Sequence, residues 1–437
     1  MAIQNFPASL QGIIQQGYLD REFQAPLQSK LAYRNIADRE DFPNKVGETI
    51  TKTRAGLKAP VTVPANPATN TNLDNGMTPS TVSVEQYTLV LNQYQDTIDL
   101  NLITNKVGLA DQFLKNAAVN GIQAAQSLDR IARNKLFNAY LGGNTRSRAT
   151  LGAPAATISV DDIRGFQTTV NSVGQVVAVS LASPVNIAVG ANTYVLQAAI
   201  PDVTNVSTAF GGISGTLTFT TNVTVSDSTL ANPVVHFNAP TILRPSGRAT
   251  TAALTGADIL TLGLLLDAQA QLRNNAPMIA GSMEAYFDNK SMRQLFADPD
   301  FKTLFQGQYG SREYVDGMVF NLLGINFVPT TEAPVQAPSG NVSVTVRRPI
   351  LAIPGALIEG DFAGMGEQFE NETQVVSMAN GVVQVTRPPL DRLGQIIAQS
   401  WYWIGDFCAP TDVTTNLNII PTASNAYYKR AVVIETA

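Results

Sequence analysis

The period of apolar and polar positions changes several times along the chain, and each change predicts an element. In residues 49–57, TITKTRAGL, Ile50, Lys52 and Arg54 share one face at a spacing of two, a strand pattern. A second extended run covers residues 82–102. Its apolar set, Val82 and Val84, then Tyr87, Leu89 and Leu91, then Ile98, Leu100 and Leu102, changes parity after Val84 and again after Leu91. Bulges or bends produce such slips. Between the runs, residues 57–80 hold four prolines and only two charges, Lys58 and Asp74. Together these segments predict a long two-stranded loop with an irregular tip. An isolated ribbon is marginal in water, so this one is expected to lie on a neighbouring molecule.

Helical spacing then governs residues 105–141, with Leu114, Ala118, Ala125, Leu128, Ala132 and Leu136 on one stripe and Gly142–Gly143 as a stop. At about 1.5 Å per residue, such a helix spans roughly 50 Å. Residues 165–243 carry only two charges, Asp202 and Asp227. Short alternating runs recur there at Val177–Leu181, Val185–Val189, Tyr194–Ile200, Leu217–Phe219, Val223–Val225 and Val235–Phe237, separated by Gly, Pro and Asn. That pattern predicts a compact antiparallel sandwich or barrel, inserted between helical regions. Thr255 followed by Asp258 resembles a capping box opening a helix over about 256–273. Strands near 319–327, 342–346, 375–385, 401–404 and 431–434, with short helices near 289–297, complete an α+β chain.

Composition sharpens this only a little. Hydrophobic residues make up 44% and charged residues 14%, against about 25% charged in an average soluble protein. Surface buried against other subunits lowers charge; so does a β-rich protein with Thr, Asn and Gln on its surface. Residues 20–58 are the exception, with eight basic and six acidic side chains in 39 positions. They suit either a solvated helix–loop or an extended arm making salt bridges to neighbours. A net charge of −5 argues against a nucleic-acid reader, which needs basic surface, yet permits a container that does not grip its contents.

Candidate chemistry is sparse. Cys408 is the one cysteine and His236 the one histidine, which leaves no internal disulfide framework, no His/Cys zinc site and a single possible imidazole base. His236 sits in PVVHFNAP, where a packing role is favoured. The phosphate-cradling GxxxxGK[ST] loop and the zinc-protease helix motif are absent. Gly364–Met365–Gly366 reads as a turn. Asp161–Asp162 and Asp298–Asp300 are the nearest carboxylate pairs, with helix-start or loop roles favoured. Arg130, Arg133, Lys135, Arg146 and Arg148 could touch DNA, with intersubunit or local salt bridges favoured. The sequons at Asn205 and Asn222 read as chance matches, because the first residues show no secretory signal. No window of about 20 apolar residues would cross a membrane. No catalytic residue, cofactor or metal is expected, and a cytoplasmic origin is.

The order of elements, together with several stretches, resembles the Hong Kong 97-type fold of tailed-phage major capsid proteins. GYLDREFQAPLQSKLAYRNIADREDFPNKVGETITKTRAGLKAP (17–60) is similar to the amino-terminal arm and rising loop strand of that family. LDRIARNKLFNAYLGGNTR (128–146) is similar to the end of its spine helix. AYFDNKSMRQLFADPDF (285–301), VFNLLGINFVPTTEAP (319–334) and RPPLDRLGQIIAQSWYWIGDF (387–407) resemble its later helix and strands.

The resemblance implies an arm over 1–46, an extended loop over 47–90 and a peripheral domain with the spine helix over 91–150, completed by 319–350 and 401–437. It implies an inserted β domain over 151–250 and an axial domain from 251–318 and 351–400. It implies pentamers and hexamers in an icosahedral shell that is assembled in the bacterial cytoplasm and encloses double-stranded DNA without reading its sequence. Scaffolding, portal and decoration proteins would be partners. Glu48, Lys52, Arg54 and Lys58 would contact a neighbouring subunit. Some members join a loop lysine to a neighbour's asparagine; Lys52 and Lys58 lie in the loop, but no motif for the partner is present, so no crosslink is expected. The alternatives are an encapsulin-type nanocompartment shell and, from a different class, a surface polysaccharide-active β-protein.

Overall fold

A computed structural model of the chain describes residues 32–42, 49–55, 84–101, 112–170, 176–202, 214–236, 239, 242–248, 251–275, 283–306, 321–336, 344–362, 375–379, 381–387, 392–393, 395–409 and 430–437. Glu48, Lys58, the loop tip at 57–80, the helix start at 105–111, Gly364–Met365–Gly366 and Asn205 lie outside the described residues. Two compact units emerge. One draws on Met1–Ile50, Leu89–Lys135 and Leu357–Cys408, the other on Thr51–Thr88, Leu136–Ala356 and Ala409–Ala437.

The first unit is a sheet backed by a helix. Its strands run in the order Ala37–Phe42, Leu357–Phe362, Ile396–Cys408, Val382–Arg387, Val375–Ala379, with Asn92–Asn101 also paired to Ile396–Cys408. Only the pair Ala37–Phe42 with Leu357–Phe362 is parallel. The strand Ile396–Cys408 spans thirteen residues, and along it Gln399, Trp401, Trp403, Gly405 and Phe407 turn inward at a spacing of two. Helix α1, Gln112–Tyr140, contributes Ala117, Ala124, Ala125, Leu128 and Ala132 to this core. Their short side chains let the helix lie close to the sheet. The second extended run does break where its parity slips at Leu91, giving Val84–Val90 and then Asn92–Asn101.

The charged amino-terminal region is used locally where it is described. Tyr33–Ile36 forms a 3-10 turn, Asp129 of α1 accepts the backbone N–H groups of Ala32 at 3.0 Å and Tyr33 at 2.6 Å, and Arg34 pairs with Glu359, both buried.

The second unit contains two six-stranded sheets. The β-rich segment forms six antiparallel strands in the order Asn144–Arg146, Pro233–His236, Val185–Val189, Asn192–Pro201, Gly215–Val223, Ala155–Val160. The two outermost strands meet through a bridge between Ser147 and Val160 and through Arg148 N–H to the Ser159 oxygen at 2.9 Å. The sheet therefore closes into a small barrel, filled by Ile158, Ile187, Val189, Leu196, Leu217, Phe219 and Val234. Between the sandwich and barrel readings, the barrel is the one formed. Both of its expected lone charges are occupied. Asp227 accepts from Tyr194 Oη at 2.6 Å, Asn192 Nδ2 at 2.8 Å and Thr224 Oγ1 at 2.8 Å, and Asp202 pairs with Arg148 at the surface.

The second sheet runs Ile242–Leu243, Ala431–Ile434, Ile350–Ala352, Met283–Phe287, Ile325–Pro329, Asn321–Leu322. It packs with helices α2 (Leu262–Asn275), α3 (Asn289–Ala297) and α4 (Pro299–Gln306) around Leu265, Leu272, Phe287, Leu295, Phe301, Phe327 and Ile434. Residues 321–329, 350–352 and 431–434 join the sheet beside α2–α4, whereas 357–362 and 375–387 pair with the strands of the first unit. Helix α2 starts later than the 256–273 reading. Thr255 and Asp258 do bond, with Asp258 accepting from Thr255 N at 2.7 Å and Oγ1 at 2.8 Å, but Asp258 also takes Arg248, and the helix opens at Leu262, whose N–H is met by Asp298 at 2.7 Å.

The exit from α1 depends on two glycines. Gly165 has φ +80°, and a Cβ there would overlap the Gly142 backbone, while Gly143 (φ +83°) donates to the Arg164 oxygen at 2.7 Å. Replacing Gly165 by Ala is expected to cost at least about 2 kcal/mol, from left-handed strain plus overlap. Urea denaturation measures it, and a change within about 0.5 kcal/mol, the range of an ordinary surface substitution, would show that the crossing yields freely.

Candidate functional site

Several buried charges of the second unit join in a circuit. Asn144 and Arg146 lie two apart on the first barrel strand and so share a face. Arg146 pairs with Asp161, just past the strand Ala155–Val160. Gln336 donates to Asp161 at 3.2 Å and accepts from Arg348. Arg348 Nε then meets Glu435 Oε1 at 3.0 Å, Arg244 Nε meets Glu435 Oε2 at 2.7 Å, and Arg244 Nη2 returns to Asn144 Oδ1 at 3.4 Å. Thr251 adds a hydroxyl to Glu435 at 2.8 Å.

Glu435 is wholly buried. Burial pushes its pKa upward, but the guanidiniums of Arg244 and Arg348 and the Thr251 hydroxyl outweigh it and hold the carboxyl at about 2. The circuit is built of buried ion pairs and hydrogen bonds between the barrel and the second sheet, so it acts as a clamp joining the two. Sequence reading missed it. The available signal was the placement of Arg348 before the apolar run PILAI and of Glu435 after AVVI, charges abutting core strands that must find partners inside.

The residues singled out from sequence are dispersed. Asp161 serves the circuit, and Asp162 pairs with buried Arg164. Asp298 caps α2, while Asp300 is exposed. Of the basic set, Arg133 and Arg146 are buried, Arg130 is half-buried, Lys135 meets Asp406 at 2.8 Å and Arg148 meets Asp202. His236 is buried beside Phe166, and burial lowers its pKa to about 4. Cys408 is half-buried. Among the described residues, no group of three or more His, Cys, Asp or Glu could hold a metal ion, and no helix is long and apolar enough to cross a membrane. Lys52 and Arg54 lie on the strand Thr49–Ala55, which with Val84–Val90 makes a separate two-stranded sheet.

No protein-family model matches the chain, and no curated protein matches its sequence. Solved structures do match. The Cyanophage Pam1 capsid aligns at 10% identity over 95% of this chain and 92% of that one, with a TM-score of 0.51. The capsid of Ralstonia phage GP4 aligns at 10% identity over 94% and 90%, with a TM-score of 0.49. The capsid of Cyanophage P-SCSP1u aligns at 11% identity over 93% and 88%, with a TM-score of 0.48. The Pam1 likeness, nearly complete in both chains, shows that this chain shares the fold of that capsid chain.

Two outcomes are expected. Glu435→Gln keeps the shape but leaves two buried guanidiniums facing each other, and should destabilise the protein by about 3–5 kcal/mol in urea denaturation. A loss below about 1 kcal/mol would mean that the clamp is replaceable. Separately, His236 in the folded chain stays neutral down to about pH 4, whereas the unfolded chain takes up its proton near 6.5. Stability therefore falls as pH drops through that window, with a contribution approaching about 1.4 kcal/mol per pH unit. His236→Gln should remove this slope and leave untouched the lower window, from about 4.5 down to about 2, where Glu435 takes up its proton in the unfolded chain but not yet in the folded one.

Proposed function

We propose that this chain is the major capsid subunit of a tailed phage, with the Hong Kong 97-type fold, and that copies of it form pentamers and hexamers of a shell around double-stranded DNA. The observation that carries this reading is the likeness to the Cyanophage Pam1 capsid across nearly the whole of both chains. It is a likeness to a phage shell, so the encapsulin-type alternative is not favoured. The barrel, in this reading, is an inserted domain, and scaffolding, portal and decoration proteins are the partners that such a shell needs.

The ribbon formed by Thr49–Ala55 and Val84–Val90 supports the assembly step. It is a two-stranded sheet with no third strand among the described residues, and two strands alone are marginal in water. A second subunit supplies the missing support. Glu48, Lys52, Arg54 and Lys58 then lie where mixed charges meet a neighbour, each exposed pair contributing only a fraction of about 1 kcal/mol but repeated at every copy of the contact.

Electron microscopy of the purified protein tests the reading directly. Rings or closed shells are expected, and a monomer at every concentration overturns it. Arg54→Glu is expected to yield folded subunits, judged by circular dichroism, that assemble poorly; normal shells from that variant would remove Arg54 from the interface.

A further inference from the structure

Within the first unit, the seam between α1 and the sheet holds buried polar atoms with no partner among the described residues. Asn120 on α1 and Gln399 on the strand Ile396–Cys408 are both fully buried. Asn120 donates its Nδ2 to the main-chain oxygen of Gln399 at 3.3 Å. That bond fixes the orientation of the amide, because the reverse would set two oxygens against each other. Asn120 Oδ1 therefore points elsewhere, and it has no hydrogen-bond partner among the described residues. Neither Oε1 nor Nε2 of Gln399 has one. The helix face at this level carries Ala117, Gly121 and Ala124, all small and all buried.

Buried polar atoms in folded proteins bond either to protein or to ordered water, and water settles where several polar groups converge in a space large enough to admit it. Three such atoms, two acceptors and one donor, match what water offers. We propose that this seam is an internal water-binding site. Water donates to Asn120 Oδ1 and to Gln399 Oε1 and accepts from Gln399 Nε2. The two ends of the Gln399 amide point apart, so a water sits at each. Helix α1 thus rests on the sheet partly through solvent at this level. This inference is independent of the capsid reading.

The test uses the full chain. In a structure at a resolution that shows ordered water, density is expected within hydrogen-bonding distance of Asn120 Oδ1 and of both ends of the Gln399 amide. The number of long-lived internal waters, counted by oxygen-17 relaxation of solvent, is expected to fall in the double variant Asn120→Leu, Gln399→Met. Each single variant strands the remaining amide, so the double variant should be less destabilised than the sum of the singles. A Gln399 amide bonded to protein atoms, an unchanged water count, or strictly additive losses would overturn the proposal.

Discussion

A carboxylate sealed inside a protein must have positive charge against it, and Glu435 imposes that condition on the whole second unit. It follows the strand Ala431–Ile434, which lies between Ile242–Leu243 and Ile350–Ala352 and pairs with both. Arg244 follows the first of those strands and Arg348 precedes the second. The three strands therefore cannot shift register without pulling a buried charge from its partner, at a cost of several kcal/mol. Arg244 and Gln336 then carry the same constraint to Asn144 and Asp161 in the barrel. Apolar packing alone would let barrel and sheet dock in several ways; the polar circuit admits one.

The first unit solves a comparable problem with the same means. Arg34 and Glu359 are buried together, Arg34 lies over the Trp403 ring, and Asp129 holds the turn that delivers the edge strand Ala37–Phe42. That edge reads ADREDF. Charges along an outer strand discourage pairing with stray strands, so the acidic and basic residues concentrated near the amino terminus protect one edge while Arg34 anchors it. A chain with only 14% charged residues thus places many of them inside, where each one decides register or docking.

Local pattern was the legible part. The helix end at Gly142–Gly143, the strand pair around Leu91, the alternation of Val185, Ile187 and Val189, and the short helix from Asn289 all follow from spacing and turn chemistry. Long-range pairing was not legible. Nothing in residues 319–350 or 431–437 tells which sheet they will enter, because an apolar strand of three to five residues fits any core. Closure of the barrel was likewise hidden, since it rests on backbone bonds of Ser147 and Arg148 that leave no mark on side-chain pattern. Thr255 and Asp258 show the opposite failure. The local bond formed as read, but Arg248 and the chain from Ala437, whose N–H reaches the Asp258 oxygen at 2.9 Å, drew that turn out of the helix.

The proposed shell role places its demand on shape. A container must present the same outline to many copies of itself, and many sequences can fill two cores and close one barrel. What cannot vary freely is the docking of one rigid part on another, since an error there is multiplied around the shell. In this chain that docking is assigned to buried ion pairs, which tolerate shifts in geometry far less than apolar packing does. The functional constraint therefore falls on Glu435, Arg244, Arg348 and Asp161, deep inside the fold and far in sequence from the loop residues that a search for interface chemistry first picks out.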